Sequence, residues 1–363
     1  MKRSRRRRAR PRKRVAVLYE VWWPQEEPVP PRAPLGAAPP EPVADDGAEA
    51  EAHEDILQAL RATDYLPFRF ELDGTKETLT KLARTPASVI FNLTESYAGD
   101  DTKDFHVAAY LELLGTPYTG NGPRGLHLGQ DKALAKRVLN DHGVPTPPSV
   151  LIEKGGERSL DSRSGFSLTF PLIVKPSRED GSIGIDSGAV VVDRRQLRER
   201  IDFVLEHFRG GALVERYVEG REVYVSIVDD GESRSPRALP LVEIDLSRLP
   251  DGVPRIAGSE VKWWKGTDIY RNTPPVYPSG ISSACRARLA RIALAAYRAL
   301  GLRDYARVDM RLSADGEGHV IEVNPNPWLN RDGEFVMAWT QTGRSYEELI
   351  AHLVGLALSR GDD

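Results

Sequence analysis

Residues 15–19 read Val-Ala-Val-Leu-Tyr, an apolar run without alternation, which predicts a strand buried on both faces of a parallel sheet. The segment "HEDILQALRATDY" then places Ile56, Leu57 and Leu60 at helical spacing. A second apolar run, Ser88 to Leu93, leads through the polar loop "TESYAGDDTKD" to a helix from Val107 to Leu114 that Gly115 terminates. Strand and helix alternate, so residues 15–125 are expected to form an α/β domain with a Rossmann-like parallel sheet. It is interrupted at 24–50 by a segment of proline, alanine and acid that has no means of packing a core.

Beyond it the pattern changes. Leu134, Val138 and Leu139 form one helical stripe, with Asp131 near the start and Gly143 and Pro145 at the end. "FPLIVKPSREDGSIGIDSGAVVV" predicts strand, loop, strand, the loop holding Gly181, Ser182 and Gly184. "ALVERYVEGREVYVSIV" predicts two strands about Glu219-Gly220, and "ARVDMRLSADGEGHVIEVN" a hairpin turning at Asp315-Gly316. This half is expected to be α+β.

The hairpin carries the most pointed chemistry. Alternation puts Glu322 and Asn324 on one face of its second strand, while Arg307, Asp309 and Arg311 leave one face of the first. Pairing across the turn brings Asp309 beside Glu322. Two carboxylates and an amide oxygen, completed by phosphate and water, suit Mg²⁺; a salt bridge from Arg307 is the competing reading. Lys175 ends the apolar strand Leu172-Ile173-Val174 and precedes a glycine-bearing loop able to offer N–H groups to phosphate. That loop lacks the Gly-Lys-Ser/Thr of a P-loop, so phosphate binding here needs another fold.

Composition narrows the class. With 363 residues, 40% of them hydrophobic, the chain can bury cores for two or three domains. A single cysteine excludes an intramolecular disulfide, and no apolar run approaches the ~20 residues of a spanning helix. A cytoplasmic enzyme without membrane association is expected. The net charge of −3 conceals a basic tail, residues 1–14, whose lysines and arginines supply +10 and leave −13 on the rest. The tail reads either as an arm for nucleic acid or as a disordered, solubilising extension. The apolar stretch after its arginines is too short for an export signal.

In order along the chain, "YLELLGTPYTGNGP", "DKALAK", "LIVKPSREDGSIG", "LVERYVEGREVYV", "ARVDM" and "IEVNPN" resemble the ATP-grasp ligases, and within them the D-alanine–D-alanine ligases. The resemblance implies an ATP-grasp fold: the N-terminal α/β domain, then two α+β subdomains, 126–214 and 215–363, enclosing ATP. It implies that Lys132 and Lys175 contact ATP phosphates under the loop Gly181, Ser182, Ile183 and Gly184. Glu215 and the backbone near Tyr217 and Val218 would take the adenine, and Glu222 the ribose. Asp309, Glu322 and Asn324 would hold two Mg²⁺, for which Mn²⁺ can substitute. Arg307 would stabilise the charge of the tetrahedral intermediate, and Lys262 would reach the γ-phosphate from a mobile loop. A carboxylate and an amine would be joined through an acyl phosphate. Members of this family are often homodimers, and this sequence shows no pattern that decides the matter.

The departures are as specific as the matches. The family's Gly-Gly-x-Ser-x-Glu loop is replaced by "EVWWPQEEPVPP", its His-Gly by Leu93-Thr94-Glu95, and the two serines of its phosphate loop by Gly181 and Ser182. Its lid tyrosine is Trp263, and "NPNPWLNRDGEF" replaces the segment that holds the second substrate. ATP and metal positions match while amino-acid positions do not, which implies a carboxylate–amine ligase with altered substrates. An authentic D-alanine–D-alanine ligase with a rewired site, and a non-catalytic ATP-binding regulator tethered by its tail, are the alternatives. Trp22, Trp23, Trp263, Trp264 and Trp328 all fall in loops flanking the expected cleft, as a substrate wall or as loop anchors. His106, His127 and His142 have no metal spacing.

Overall fold

The computed structural model describes residues 12–21, 48–156, 169–231, 233–264 and 266–361. Most of the basic tail, Trp22 and Trp23, and residues 24–47 of the insertion lie outside the described residues. β1 (Lys13–Glu20), β2 (Tyr65–Leu72) and β3 (Val89–Asn92) form a parallel sheet in the order β2-β1-β3. Its central strand is the apolar run, and Val15 to Leu18 are wholly buried. β1 opens inside the expected tail, with Lys13 and Arg14 paired to Tyr65 and Leu66. Likewise α1 (Ala48–Arg61) begins within the range expected for the insertion.

α2 (Lys76–Ala83), α3 (Asp104–Leu114) and α4 (Pro123–Gln130) follow. The expected helix end at Gly115 is left-handed, φ +65°. Asp104, at the start of α3, is buried and takes a 2.6 Å hydrogen bond from Gln130 Nε2. Burial pushes its carboxyl up to about 8, against the pull of its neighbouring backbone N–H. A carboxyl raised in the folded state stabilises below its unfolded value, near 4, and loses that contribution as pH rises through about 8. Asp104→Asn is therefore expected to flatten the decline of the melting temperature between pH 5 and 9. At pH 9 it should melt higher than wild type by on the order of 5 °C; parallel pH profiles for the two proteins would refute this.

α5 (Lys132–Asp141) is the expected stripe of Leu134, Val138 and Leu139, and it is separate from α4. Asp131 breaks them, with extended backbone and a side chain that accepts from Leu134 N at 2.9 Å. This cap sets Lys132 at the first position of α5. A central antiparallel sheet then assembles from β4 (Ser149–Ile152), β5 (Leu172–Pro176), β6 (Val190–Val191) and β7 (Ala212–Arg216), in the order β4-β7-β5-β6. α6 (Arg194–His207) covers it through Leu197, Ile201 and Val204.

The largest sheet contains β8 (Arg221–Asp229), β9 (Pro236–Ala238), β10 (Val242–Ile244), β11 (Pro275–Val276), β12 (Tyr305–Leu312) and β13 (Gly318–Asn324). Its long path runs β11-β10-β8-β12-β13, with β9 on β8. Two short helices, α7 (Ser259–Lys262) and α8 (Asp268–Asn272), lie between β10 and β11. α9 (Ser283–Ala299) packs Leu289, Ala293 and Ala296 on the sheet. α10 (Glu334–Thr340) and α11 (Tyr346–Arg360) join it to the first sheet, Leu349, Ile350 and Leu353 sharing one core with Val15, Val17 and Phe91.

β7 and β8, adjacent in sequence about Glu219-Gly220, belong to different sheets. Gly220 has φ +143°, and a Cβ there would run into the Leu312 carbonyl, so the crossing between sheets requires glycine. The cleft opens beside this crossing. No described helix is long and apolar enough to cross a membrane.

Candidate active site

The β12–β13 hairpin sets Asp309 directly opposite Glu322 and Arg307 opposite Asn324, with a register shift immediately after Asp309. Arg307 grips Asp309 with both arms, Nε to Oδ1 at 2.7 Å and Nη2 to Oδ2 at 2.9 Å, and reaches Glu334 at 3.2 Å. Asn324 Nδ2 donates to Asp309 Oδ2 at 3.1 Å. The salt bridge that the sequence offered as an alternative is thus formed, on the same side chains as the expected metal set. Burial raises the Asp309 carboxyl, and Arg307 only partly offsets it.

Glu322 is approached by the Lys132 ammonium at 2.6 Å, which also lies 3.3 Å from Asp180. Burial disfavours the Glu322 carboxylate, but Lys132 and Lys262 outweigh burial and hold it ionised below the ordinary range. Its Oε1 is nonetheless a buried acceptor with no aligned hydrogen bond, despite that close ammonium. A buried lone pair beside a second carboxylate is a place for a hard cation. Among the described residues no group of three or more His, Cys, Asp and Glu side chains gathers as a metal site. Two carboxylates with the Asn324 amide, completed by phosphate and water, fit Mg²⁺ in chemistry.

The opposite wall supplies cations. Lys136, one helical turn after Lys132, lies 3.1 Å from Glu215, and Lys175 of β5 lies 3.0 Å from the other oxygen of the same carboxylate. Burial lowers the Lys136 ammonium to about 8; Glu215 opposes this and Lys175 adds to it. The loop after β5 turns through left-handed residues, Gly181 at φ +60°, Ser182 at +64° and Gly184 at +71°. Successive conformations of this kind turn N–H groups toward one side, as anion binding requires.

The loop is fastened to the segment around α7. Ser182 Oγ donates to Ala257 O at 2.9 Å, Ser259 N to Ile185 O at 2.7 Å, and Ser187 N to Glu260 Oε1 at 2.8 Å. The Trp263 indole N–H donates to Gly181 O at 2.5 Å.

Between these walls runs a cleft of about 60 Å³. Of the residues expected in the site, Lys132, Lys175, Ser182, Glu215, Tyr217, Val218, Glu222, Lys262, Asp309 and Glu322 line it. Arg307 and Asn324 stand behind Asp309, while Gly181, Ile183 and Gly184 shape the loop above, with Ile183 about half exposed. Ile173, Ile185, Ile256 and Ile321 make its apolar surface. Glu222, expected at a ribose, accepts from Arg311 and Ala257 N, each at 3.2 Å, and from the Tyr224 hydroxyl at 3.2 Å.

Sequence reasoning missed Lys136, Glu334 and Tyr224, and assigned Arg311 no role. Lys136 was visible as the second cation of "DKALAK", four residues after Lys132 on one helix face. Arg311 donates to Val218 O at 3.0 Å and Gly220 O at 2.9 Å, so it holds the crossing between sheets. Tyr224 lies under the Arg307 guanidinium, its ring centroid 4.5 Å away. No local pattern marks it or Glu334.

The geometry agrees with comparisons to known proteins. Residues 138–355 match the family described as D-ala D-ala ligase C-terminus. A D-alanine–D-alanine ligase of Bordetella avium is 34% identical over 82% of this chain and 86% of its own, and one of Marinomonas is 30% identical over 81% and 86%. An uncharacterized protein of Sinorhizobium fredii is 35% identical over 77% of each chain. The structure of D-alanine–D-alanine ligase from Bacillus anthracis complexed with ATP superposes with a TM-score of 0.70 at 22% identity, covering 96% of this chain and 98% of that one. The chain has the ATP-grasp fold and belongs to the D-alanine–D-alanine ligase family, ATP-dependent ligases that form carbon–nitrogen bonds.

Proposed function

We propose that this protein is an ATP- and Mg²⁺-dependent carboxylate–amine ligase whose amino-acid site differs from that of the D-alanine–D-alanine ligases it resembles. The observation that carries the reading is the pairing of Asp309 with Glu322 across one cleft from Lys132 and Lys175, with Trp263 closing the loop above. Bound Mg²⁺ would be held by Asp309, Glu322 and Asn324 and would neutralise phosphate charge during transfer.

The roles of the chain's own residues follow. Lys132, Lys175 and the N–H groups of the 181–184 loop orient the phosphates, and Lys262 approaches the γ-phosphate from the lid. Glu215 and the backbone at Tyr217 and Val218 take the adenine, and Glu222 faces the ribose. A substrate carboxylate oxygen bonds to the γ-phosphorus as its bond to the β-phosphate oxygen breaks, releasing ADP. The amine nitrogen then adds to the acyl carbon, Arg307 stabilises the developing oxyanion, and phosphate leaves as the nitrogen loses its proton. The lid excludes water, which would hydrolyse the acyl phosphate. The substrates are small molecules, and nucleic acid has a place only if the tail 1–14 supplies it.

The test is phosphate release from ATP against a panel of carboxylic acids and amines, D-alanine among them. Release that requires one acid and one amine other than D-alanine is expected. Release with D-alanine alone would restore authentic D-alanyl-D-alanine synthesis, and no release with any pair would refute the ligase.

A further inference from the structure

Two indoles remain unexplained by ATP and metal. Trp263 and Trp328 are each 37% exposed, among the few large apolar side chains left in contact with solvent. They touch each other edge to face, ring centroids 5.4 Å apart at 70°. Trp263 is the residue after Lys262, which lines the cleft, and Trp328 lies four residues past Asn324 at the end of β13. The pair therefore joins the lid to the metal-side loop, above the place where the acyl phosphate would form.

The Trp263 ring is held in place. The indole N–H of Trp263 is spent on Gly181 O, and a Cβ on Gly181 would stand 3.1 Å from Trp263 Cζ2, so the ring lies close on the phosphate loop. A ring whose polar atom is satisfied presents only apolar surface. The two rings, meeting at a steep angle, leave a re-entrant corner that accommodates a third planar or apolar group. An exposed apolar patch at the mouth of a polar catalytic cleft marks a contact surface for what enters it.

We propose that the Trp263–Trp328 corner is the wall on which the side chain of one substrate rests, and that this substrate carries an aromatic or extended aliphatic group larger than the methyl of alanine. The inference rests on the ligase reading above and specifies its substrate class. The same contact suits an acid or an amine, and the two arms of the test separate them.

In the first arm the full-length protein, ATP and Mg²⁺ are given alanine, leucine, phenylalanine or tryptophan, in both enantiomers, with hydroxylamine as the amine. Hydroxylamine captures an acyl phosphate as a hydroxamate and so reports activation of the acid alone. In the second arm the best acid is held constant and the same amino acids serve as amines. In one arm the KM for a bulky apolar partner is expected to fall below that for alanine by roughly tenfold or more. Trp328→Ala should collapse that KM ratio toward one, whereas Trp328→Phe should keep it.

Binding gives a readout apart from turnover: the preferred partner should shift tryptophan emission in the wild type and not in Trp328→Ala. Circular dichroism would confirm that the variant is folded. Preference for alanine in both arms, or a KM ratio unchanged in Trp328→Ala, would overturn the wall and leave the ligase standing. Absence of hydroxamate and of amide with every member would overturn both.

Discussion

Asp309→Asn is expected to lower ATP-dependent product formation by about 10³-fold, the scale for losing a preorganised charge at a phosphoryl-transfer site. Asparagine keeps the size of the side chain and one oxygen, so the variant removes charge with little change in packing. It also leaves Arg307 with Glu334 as its ion-pair partner, at 3.2 Å. Two measurements separate the roles of Asp309. If it is a metal ligand, Mn²⁺ binding in the presence of ATP weakens together with turnover. If it serves only to hold Arg307, metal binding is unaffected and the pH profile of the second step changes instead. Turnover within a factor of a few of wild type would sink the metal assignment.

The second large effect belongs to Lys132. Its ammonium is almost wholly buried, 3% exposed, between Glu322 and Asp180. Burial pulls its pKa down, but the two carboxylates overcome this and hold it above the ordinary lysine value. Lys132→Ala strands Glu322 in a buried site and is expected to cost about 3–5 kcal/mol of stability, as breaking a buried pair does. It should also raise the KM for ATP by roughly a hundredfold. A distinctive outcome follows from the shared carboxylate: Mg²⁺ or Mn²⁺ alone should restore part of the lost melting temperature, because a cation can replace the ammonium beside Glu322. A variant that melts lower and gains nothing from divalent cations would show that Glu322 is not a metal ligand.

Much of this was legible in the chain. β1 and β3 announce themselves as uninterrupted apolar runs, because both strands of this parallel sheet are covered on both faces. The short turn showed that the hairpin brings Asp309 near Glu322, but their direct opposition depends on the register shift after Asp309, without which Asp309 would face Ile321. Other features are products of tertiary assembly. Nothing in "ALVERYVEGREVYV" shows that its two strands enter different sheets, since that depends on the close approach of Gly220 to Leu312, far away in sequence. Glu334 reaches Arg307 only because α10 folds back against β8 and β10, and Arg311 needs the three-dimensional crossing in order to bind it. The start of α5 at Asp131 was legible as well, because a capping residue stands just before the stripe of Leu134, Val138 and Leu139.

The pairings within the cleft bear on the order of events. Lys132 lies against Glu322 and Arg307 clasps Asp309, so one proposed phosphate partner and the proposed oxyanion partner are each paired with a proposed metal ligand. The site thus contains its own competitor. Nucleotide and divalent cation must displace these contacts together, since either one alone would leave a charge stranded. In the proposed reaction, re-formation of the same pairs would favour departure of ADP and phosphate, a return spring for product release.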